Sequence, residues 1–537
     1  MKHYIVALAM GVCLLNPYQS EAISDKAFFK LIRSQRQVDS HAVKTAVARF
    51  DQKTKLPNQT QNGDEALYAD KRGSFGKSLL HKSNGFIDTV AFNQLVFALL
   101  SGKPSDFDKI LMGSTVRKLV NPQASLAFSL SGNDSWINAI PPAPKFSSAQ
   151  AAGEMVELYW TALARDVPFN EYDANAIVGS AVAELNTLSD FRGPKVGGVV
   201  TRGTFLRGLT PGDLVGPYIS QFLYQTVPYG PATVAPEISV PTQGTTNDFM
   251  TTFTDWFEVV SGGSTGKSTT VDPVARFLRT ARDLAAWVHR DYPGQGAVNA
   301  LLQLLSYGND ALDPNNPYLN NPTQQGFVTF GTDQFFDVLA KAVNEGLKGA
   351  WYHKWQVNRR LRPEEYGFYV QKQIADGESL GISSELTSST AVSNIFSTYG
   401  SYFLPQAYPE GSPTHPSYPA GHAVAIGAAV TVLKAFFNED FVIPNPLQPD
   451  VTNTSLEAYT GGDLTVGGEL NKLASNICLG RDHAGVHYRC DGSDGMLLGE
   501  QIAIDVLNNE GFLYNEAFNG FTLTKFDGTT VTVGKSR

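Results

Sequence analysis

Apolar side chains recur at three- and four-residue spacing along 25–50, 147–164, 273–289, 332–360, 422–437 and 486–507, and that period predicts helices. Two-residue alternation is scarce: only 522–533, around Asp527 and Gly528, reads as a short hairpin. Between the helical stretches, 227–243 and 308–325 carry the turn chemistry of long loops. No motif repeats at a fixed period. The pattern describes one large all-α unit over 23–537.

The beginning of the chain follows another rule. Lys2 and His3 form a short polar start, 4–15 is apolar, and Ser20, Glu21 and Ala22 resemble a cleavage site. The first 22 residues therefore read as an export signal, with an apolar run too short to cross a bilayer. The expectation is a secreted or periplasmic protein without a membrane span.

Composition removes several classes. The 537 residues are 42% hydrophobic, enough for a large core and incompatible with a disordered or disulfide-stapled chain. A net charge of -9 argues against a nucleic-acid binder, which needs a basic stripe. Cys13 lies in the leader; Cys478 and Cys490 either pair in an oxidising compartment or stay buried as thiols, and the sequence leaves both open.

Two apparent motifs carry little. The run from Ser261 to Ser268 nearly spells a phosphate-cradling loop, but Ser261 stands where Gly is required and no βαβ pattern surrounds it. His483 and His487 have metal-ligand spacing, yet no further ligand completes a tetrahedral zinc site.

The chemistry gathers between 351 and 491. Leu339, Val343, Leu347 and Trp351 step along one helical face, and Lys354 follows at its end. Pro363 breaks that helix by pushing Arg362 out of α conformation, which turns Arg362 back toward Lys354. Gly421 and His422 open a buried helix whose first N–H groups make a seat for an anion. His487 and Asp491 are four apart and expected on one helical face, the carboxylate bonding one ring nitrogen and freeing the other. Arg481 supplies a third cation. Three cations and two histidines specify an oxyanion site.

In this order, Lys354, Arg362-Pro363, Pro419-Ala420-Gly421-His422, Arg481, His487 and Asp491 resemble the vanadium-dependent haloperoxidases, which share their site with acid phosphatases. The step from Lys354 to Arg362 is similar to the algal bromoperoxidase type, and 119–123, 141–144, 154–160, 165–169, 210–218, 287–293 and 464–474 are similar to the red-algal enzymes. The resemblance implies two four-helix bundles and a vanadate cofactor. By position, His487 would bind vanadium, Lys354, Arg362, Arg481 and the Gly421 N–H would hold its oxygens, and His422 would be the acid–base group. Asp491 would support His487 from behind.

The same resemblance implies hydrogen peroxide, a halide and small organic acceptors as reactants, calcium binding, and a homodimer or larger assembly. His415 and Trp351 would line the halide pocket, and His415 points to bromide and iodide over chloride. Two features depart from the family. Ala420 stands where Ser is usual, removing a hydroxyl donor, and Asp482 is placed to compete for Arg481. The residues alone also allow an exported acid phosphatase with His487 as nucleophile, His422 as acid and Asp491 orienting the nucleophile, or an inactive anion-binding scaffold.

Overall fold

The computed structural model describes residues 25–536; the expected export signal, 1–22, lies outside them. The chain divides into two compact units at Thr54 and Lys55, where the hydrophobic pattern reads as one unit from 23 onward. The described part of the first is essentially one helix, α1 (Asp25–Asp51), with Ile32, Val38 and Phe50 among its exposed side chains.

The second unit is mostly helical. One group of helices surrounds α2 (Ala149–Ala164), against which the helices Ala176–Leu185 and Thr390–Tyr399 pack. The other is a bundle of α3 (Ala281–Arg290), α4 (Gln295–Ser306), α5 (Thr332–Trp351), α6 (Gly421–Phe436), α7 (Val466–His483) and α8 (Arg489–Gly511). Helix α6 is its axis, packed by α5, α7 and α8. Every residue of α6 except His422 is buried, as a helix apolar all round requires.

Glycine sets how closely α6 and α8 approach. A Cβ on Gly499 would stand 2.2 Å from the Val424 carbonyl oxygen, and one on Gly427 would stand 2.6 Å from the Met496 carbonyl oxygen. Any side chain at either place would push the two backbones apart, and with them the helix starts that carry His422 and Asp491.

Several helices begin or end elsewhere than the period suggests. The 273–289 stretch becomes helical only at Ala281, where Thr280 and Asp283 form a reciprocal cap; Arg276 before it pairs with Ile238 as an isolated bridge. The 332–360 stretch is α-helical to Trp351 and π-helical over Tyr352–Asn358, and Arg359 ends it in the left-handed region at φ 40°. The 486–507 stretch starts at Arg489, because Gly485 at φ 81° stops α7 and the chain must turn before restarting.

The C-terminal hairpin is present as β5 (Phe521–Thr524) and β6 (Thr530–Val533), antiparallel. The loops hold two smaller hairpins, β1 (Val227–Tyr229) with β2 (Ala232–Val234) and β3 (Leu447–Pro449) with β4 (Leu456–Ala458). Cys478 and Cys490 are free buried thiols, each 5% exposed. Among the described residues no helix is long and apolar enough to cross a membrane. Among them also, no group of three or more His, Cys, Asp or Glu side chains is arranged to hold a metal ion.

Candidate active site

Three chain segments converge at the start of α6. The first is the π-helical turn after α5. Its extra residue per turn lets Lys354 leave the regular helical register, and its ammonium donates to the carbonyls of Pro416 (2.7 Å) and Ser417 (2.8 Å). Arg362, extended before Pro363, reaches the same loop: its Nε donates to the His415 carbonyl at 2.9 Å and its Nη2 lies 3.0 Å from His415 Nδ1. Lys354 and Arg362 thus converge, as their spacing predicts.

The second segment is the start of α6. Ala420 precedes it with extended backbone and no capping side chain, and its own N–H donates to the Asp491 carbonyl at 2.8 Å. His422, in the first turn, places Nε2 2.9 Å from Asp291 Oδ1. Asp291 closes α3 and extends the site beyond the 351–491 span expected to contain it.

The third segment joins α7 to α8. His487 lies in the connecting turn, not on a helix, so the expected shared helical face is absent. The contact forms nevertheless, because Asp491 sits in the first turn of α8 and reaches back: His487 Nδ1 to Asp491 Oδ2 is 2.8 Å. With Nδ1–H donating, Nε2 carries the lone pair and accepts from Arg362 Nη1 at 2.9 Å. Asp491 is heavily supported, taking Arg360 Nη1 at 2.9 Å, the Tyr488 N–H at 3.2 Å and the Ser417 hydroxyl.

The electrostatics of this enclosure are one-sided. Among the described residues, none of Lys354, Arg362 and Arg481 forms an ion pair, and Asp491 is shared with Arg360, which also binds Glu154 at 2.9 Å. Burial, then the charges of Arg362 and Arg481, hold the Lys354 ammonium well below the lysine range despite Asp491. Arg362 is brought down to about 10 mainly by burial. Burial, then Arg362 and Lys354, keep His487 neutral; burial, then Lys354 and Arg362, do the same for His415. His422 is lowered by burial and Arg481, against the raising effect of its Asp291 bond.

Arg481 donates one Nη to the Val288 carbonyl at 2.7 Å, lies 5.6 Å over the Tyr408 ring, and keeps a buried Nε without an acceptor. A buried cluster of cations, neutral imidazoles and helix N–H groups, whose two carboxylates Asp491 and Asp291 are each engaged by a histidine, fits a bound oxyanion such as vanadate. Trp351 and His415 form one edge of this cluster, their rings 4.9 Å apart.

The expected competition by Asp482 does not occur. Asp482 is buried away from Arg481, and burial raises its carboxyl well above the usual range despite Arg489. His483 contacts the Tyr218 hydroxyl at 3.1 Å and His353 the Asn138 carbonyl at 2.8 Å, so neither joins the site. Asp291, Ser417 and Arg360 belong to it and were missed. Only Arg360 had a signal, as one of the cations clustered beside Arg362.

Comparison with known proteins gives a consistent set of relatives. A family model, the VCPO second helical-bundle domain, matches residues 334–515. The chain is 34% identical over 558 residues to the vanadium-dependent bromoperoxidase of Corallina officinalis, covering 88% of this chain and 92% of that protein. It is 34% identical over 548 residues to the vanadium-dependent bromoperoxidase of Ascophyllum nodosum, covering 96% and 97%. The homohexameric structure of the second vanadate-dependent bromoperoxidase from Ascophyllum nodosum matches with a TM-score of 0.88 at 29% identity, over 93% of this chain and 90% of that one.

Proposed function

The chain belongs to the vanadium-dependent bromoperoxidase family, and from that premise we propose how its own residues carry the haloperoxidase reaction. The observation that carries the proposal is the buried trio Lys354, Arg362 and Arg481, without a carboxylate of its own, beside the neutral Nε2 of His487.

Vanadate, when bound, supplies a Lewis acid that makes hydrogen peroxide electrophilic toward halide. The protein does the rest. His487 offers Nε2 as the ligand to vanadium in exchange for the Arg362 Nη1 bond it accepts here, and Asp491 fixes the tautomer that leaves this nitrogen unprotonated. Lys354, Arg362, Arg481 and the Gly421 N–H hold the oxygens and offset their charge in a site that excludes water. His422 moves protons to and from peroxide, and its bond to Asp291 keeps the ring in place for that exchange.

Trp351 and His415 line the halide side, and the range we assign is bromide and iodide, used to halogenate small organic acceptors. The protein acts as an exported homo-oligomer; the homohexamer of the Ascophyllum nodosum relative supports assembly. The test is to load metal-free protein with orthovanadate and follow peroxide-dependent bromination. Bromination that requires vanadate, and that inorganic phosphate suppresses by competing for the seat, supports the proposal. Phosphate-ester turnover through His487 without bromination would overturn it.

A further inference from the structure

The helix Thr89–Ser101 departs from the burial that its own sequence calls for. Its 13 residues include no charged side chain, and apolar side chains lie on every side of it. A helix of that pattern is normally covered all round, as α6 is. Here only the inner face is covered. Ala91, Phe92, Leu95, Ala98 and Leu99 cluster with Trp355, which sits in the π-helical turn that carries Lys354. The outer face meets water through Val90, Phe97 and Leu100, the last two 61% and 79% exposed. The helix is fixed at both ends, by the Asp88 side chain at its start and by Gly102 at φ 64° after its last turn.

Neighbouring segments extend the outer face. The Leu111 N–H donates to Gln94 Oε1 at 2.9 Å, which sets Leu111 beside it. A Cβ on Gly102 would stand 3.4 Å from the Leu126 side chain, which sets Leu126 at its end. From there the loop carries Phe128 and Leu130, 81% and 94% exposed. The loop is held in place: Lys348 donates to the Phe128 carbonyl at 3.2 Å, and the Gly132 N–H donates to Asn509 Oδ1 at 2.7 Å. Its apolar side chains therefore point outward from an anchored backbone.

Size separates this face from ordinary surface. At about 150–200 Å² for a fully exposed side chain of this kind, these seven residues present roughly 800 Å². The largest apolar patch of a typical monomer is about 300–600 Å², whereas a stable interface takes about 800 Å² from each partner. The rim is polar, with Asp106 and Lys109 paired at 2.8 Å and Glu345 and Lys348 at 3.0 Å. Two chains of net charge -9 repel each other, and least where the surface carries no charge.

We propose that this face, around Phe97 and Leu100, is where a second copy of the chain docks, each copy covering the other's patch about a two-fold axis. A patch without charge can meet its own copy, which is what a two-fold contact requires. The inference rests on the homo-oligomer reading given above and names the surface that serves it. The contact would brace from outside the helix whose inner face packs on Trp355, one residue from Lys354.

The test is the molar mass of the full chain and of the double variant Phe97→Glu, Leu100→Glu, by sedimentation equilibrium at micromolar concentration. Both positions are exposed and Glu is a good helix former, so the helical circular dichroism should be unchanged. The wild type should weigh a multiple of one chain. In the variant like charges face each other across the axis, and the dissociation constant of this contact should rise about 100-fold or more. Should the double variant lose helicity, Phe128→Glu on the anchored loop is the deciding change, with the same expected loss of mass. A folded variant that keeps the wild-type mass would overturn this face and leave the homo-oligomer reading standing. A wild type of one-chain mass would overturn both, and its flotation with phosphatidylcholine vesicles would give the face to a lipid surface instead.

Discussion

The site holds two histidine–carboxylate pairs of the same chemistry in different settings. His487 and Asp491 are 2% and 0% exposed, and Asp491 takes further bonds from Arg360, Ser417 and the Tyr488 N–H. His422 is 18% exposed, and its partner Asp291 has a second oxygen with no hydrogen bond at all. The first pair cannot turn, which suits a ligand that must present one nitrogen. The second is held at one point and faces the opening, which suits a proton carrier.

Substitutions test that contrast. The largest effect belongs to His487→Ala, which should lose vanadate in equilibrium dialysis and bromination to background while unfolding remains cooperative. Next, His422→Ala should keep vanadate but lower the bromination rate by about 10²- to 10⁴-fold, the usual contribution of a general acid–base group. If it releases vanadate as readily as His487→Ala, the division of roles fails.

Asp491→Asn should weaken vanadate binding by about 10- to 100-fold. It should also cost roughly 1–3 kcal/mol in urea unfolding; Glu154 still pairs Arg360, which limits the damage. Asp291→Asn should leave stability nearly untouched and instead move a pH profile. Asp291 raises His422 against burial and Arg481, so its loss lowers the His422 pKa. The limb of kcat/KM that requires protonated His422 then shifts to lower pH; a limb that stays in place would assign that proton elsewhere.

The smallest effect is that of Ala420→Ser. Ala420 is the residue before α6 and caps nothing. A hydroxyl there that donates to vanadate should tighten binding by up to about tenfold, equivalent to about 1.4 kcal/mol. A hydroxyl that instead accepts from the first turn of α6 should add about 1 kcal/mol of stability and leave the affinity alone. Vanadate titration and thermal unfolding of the one variant separate these outcomes.

The sequence exposed the cations and histidines of this site because each stands beside a local signal. Pro363 marks Arg362, Gly421 marks His422, and the four-residue step joins His487 to Asp491. It hid the residues whose role depends only on folding. Asp291 follows an ordinary helix and meets His422 across 131 positions. Ser417 sits in a proline-rich loop where nothing distinguishes it from its neighbours. The helical period also misplaced the starts of α3 and α8, because a cap at Thr280 and a left-handed Gly485 override hydrophobic spacing. Period reports which face is buried, while caps and glycines decide where the helix begins.

The two free thiols bear on how long the catalyst lasts. Halide oxidation releases a product that attacks accessible sulfur. Cys478 and Cys490 are each 5% exposed, and burial pushes both thiols well above their ordinary pKa, so the reactive thiolate is scarce as well as shielded. Met155, Met250 and Met496 are buried too. Among the described methionines and cysteines only Met112 is half-buried rather than buried, so most of the soft sulfur is shielded from the oxidant that halide oxidation releases.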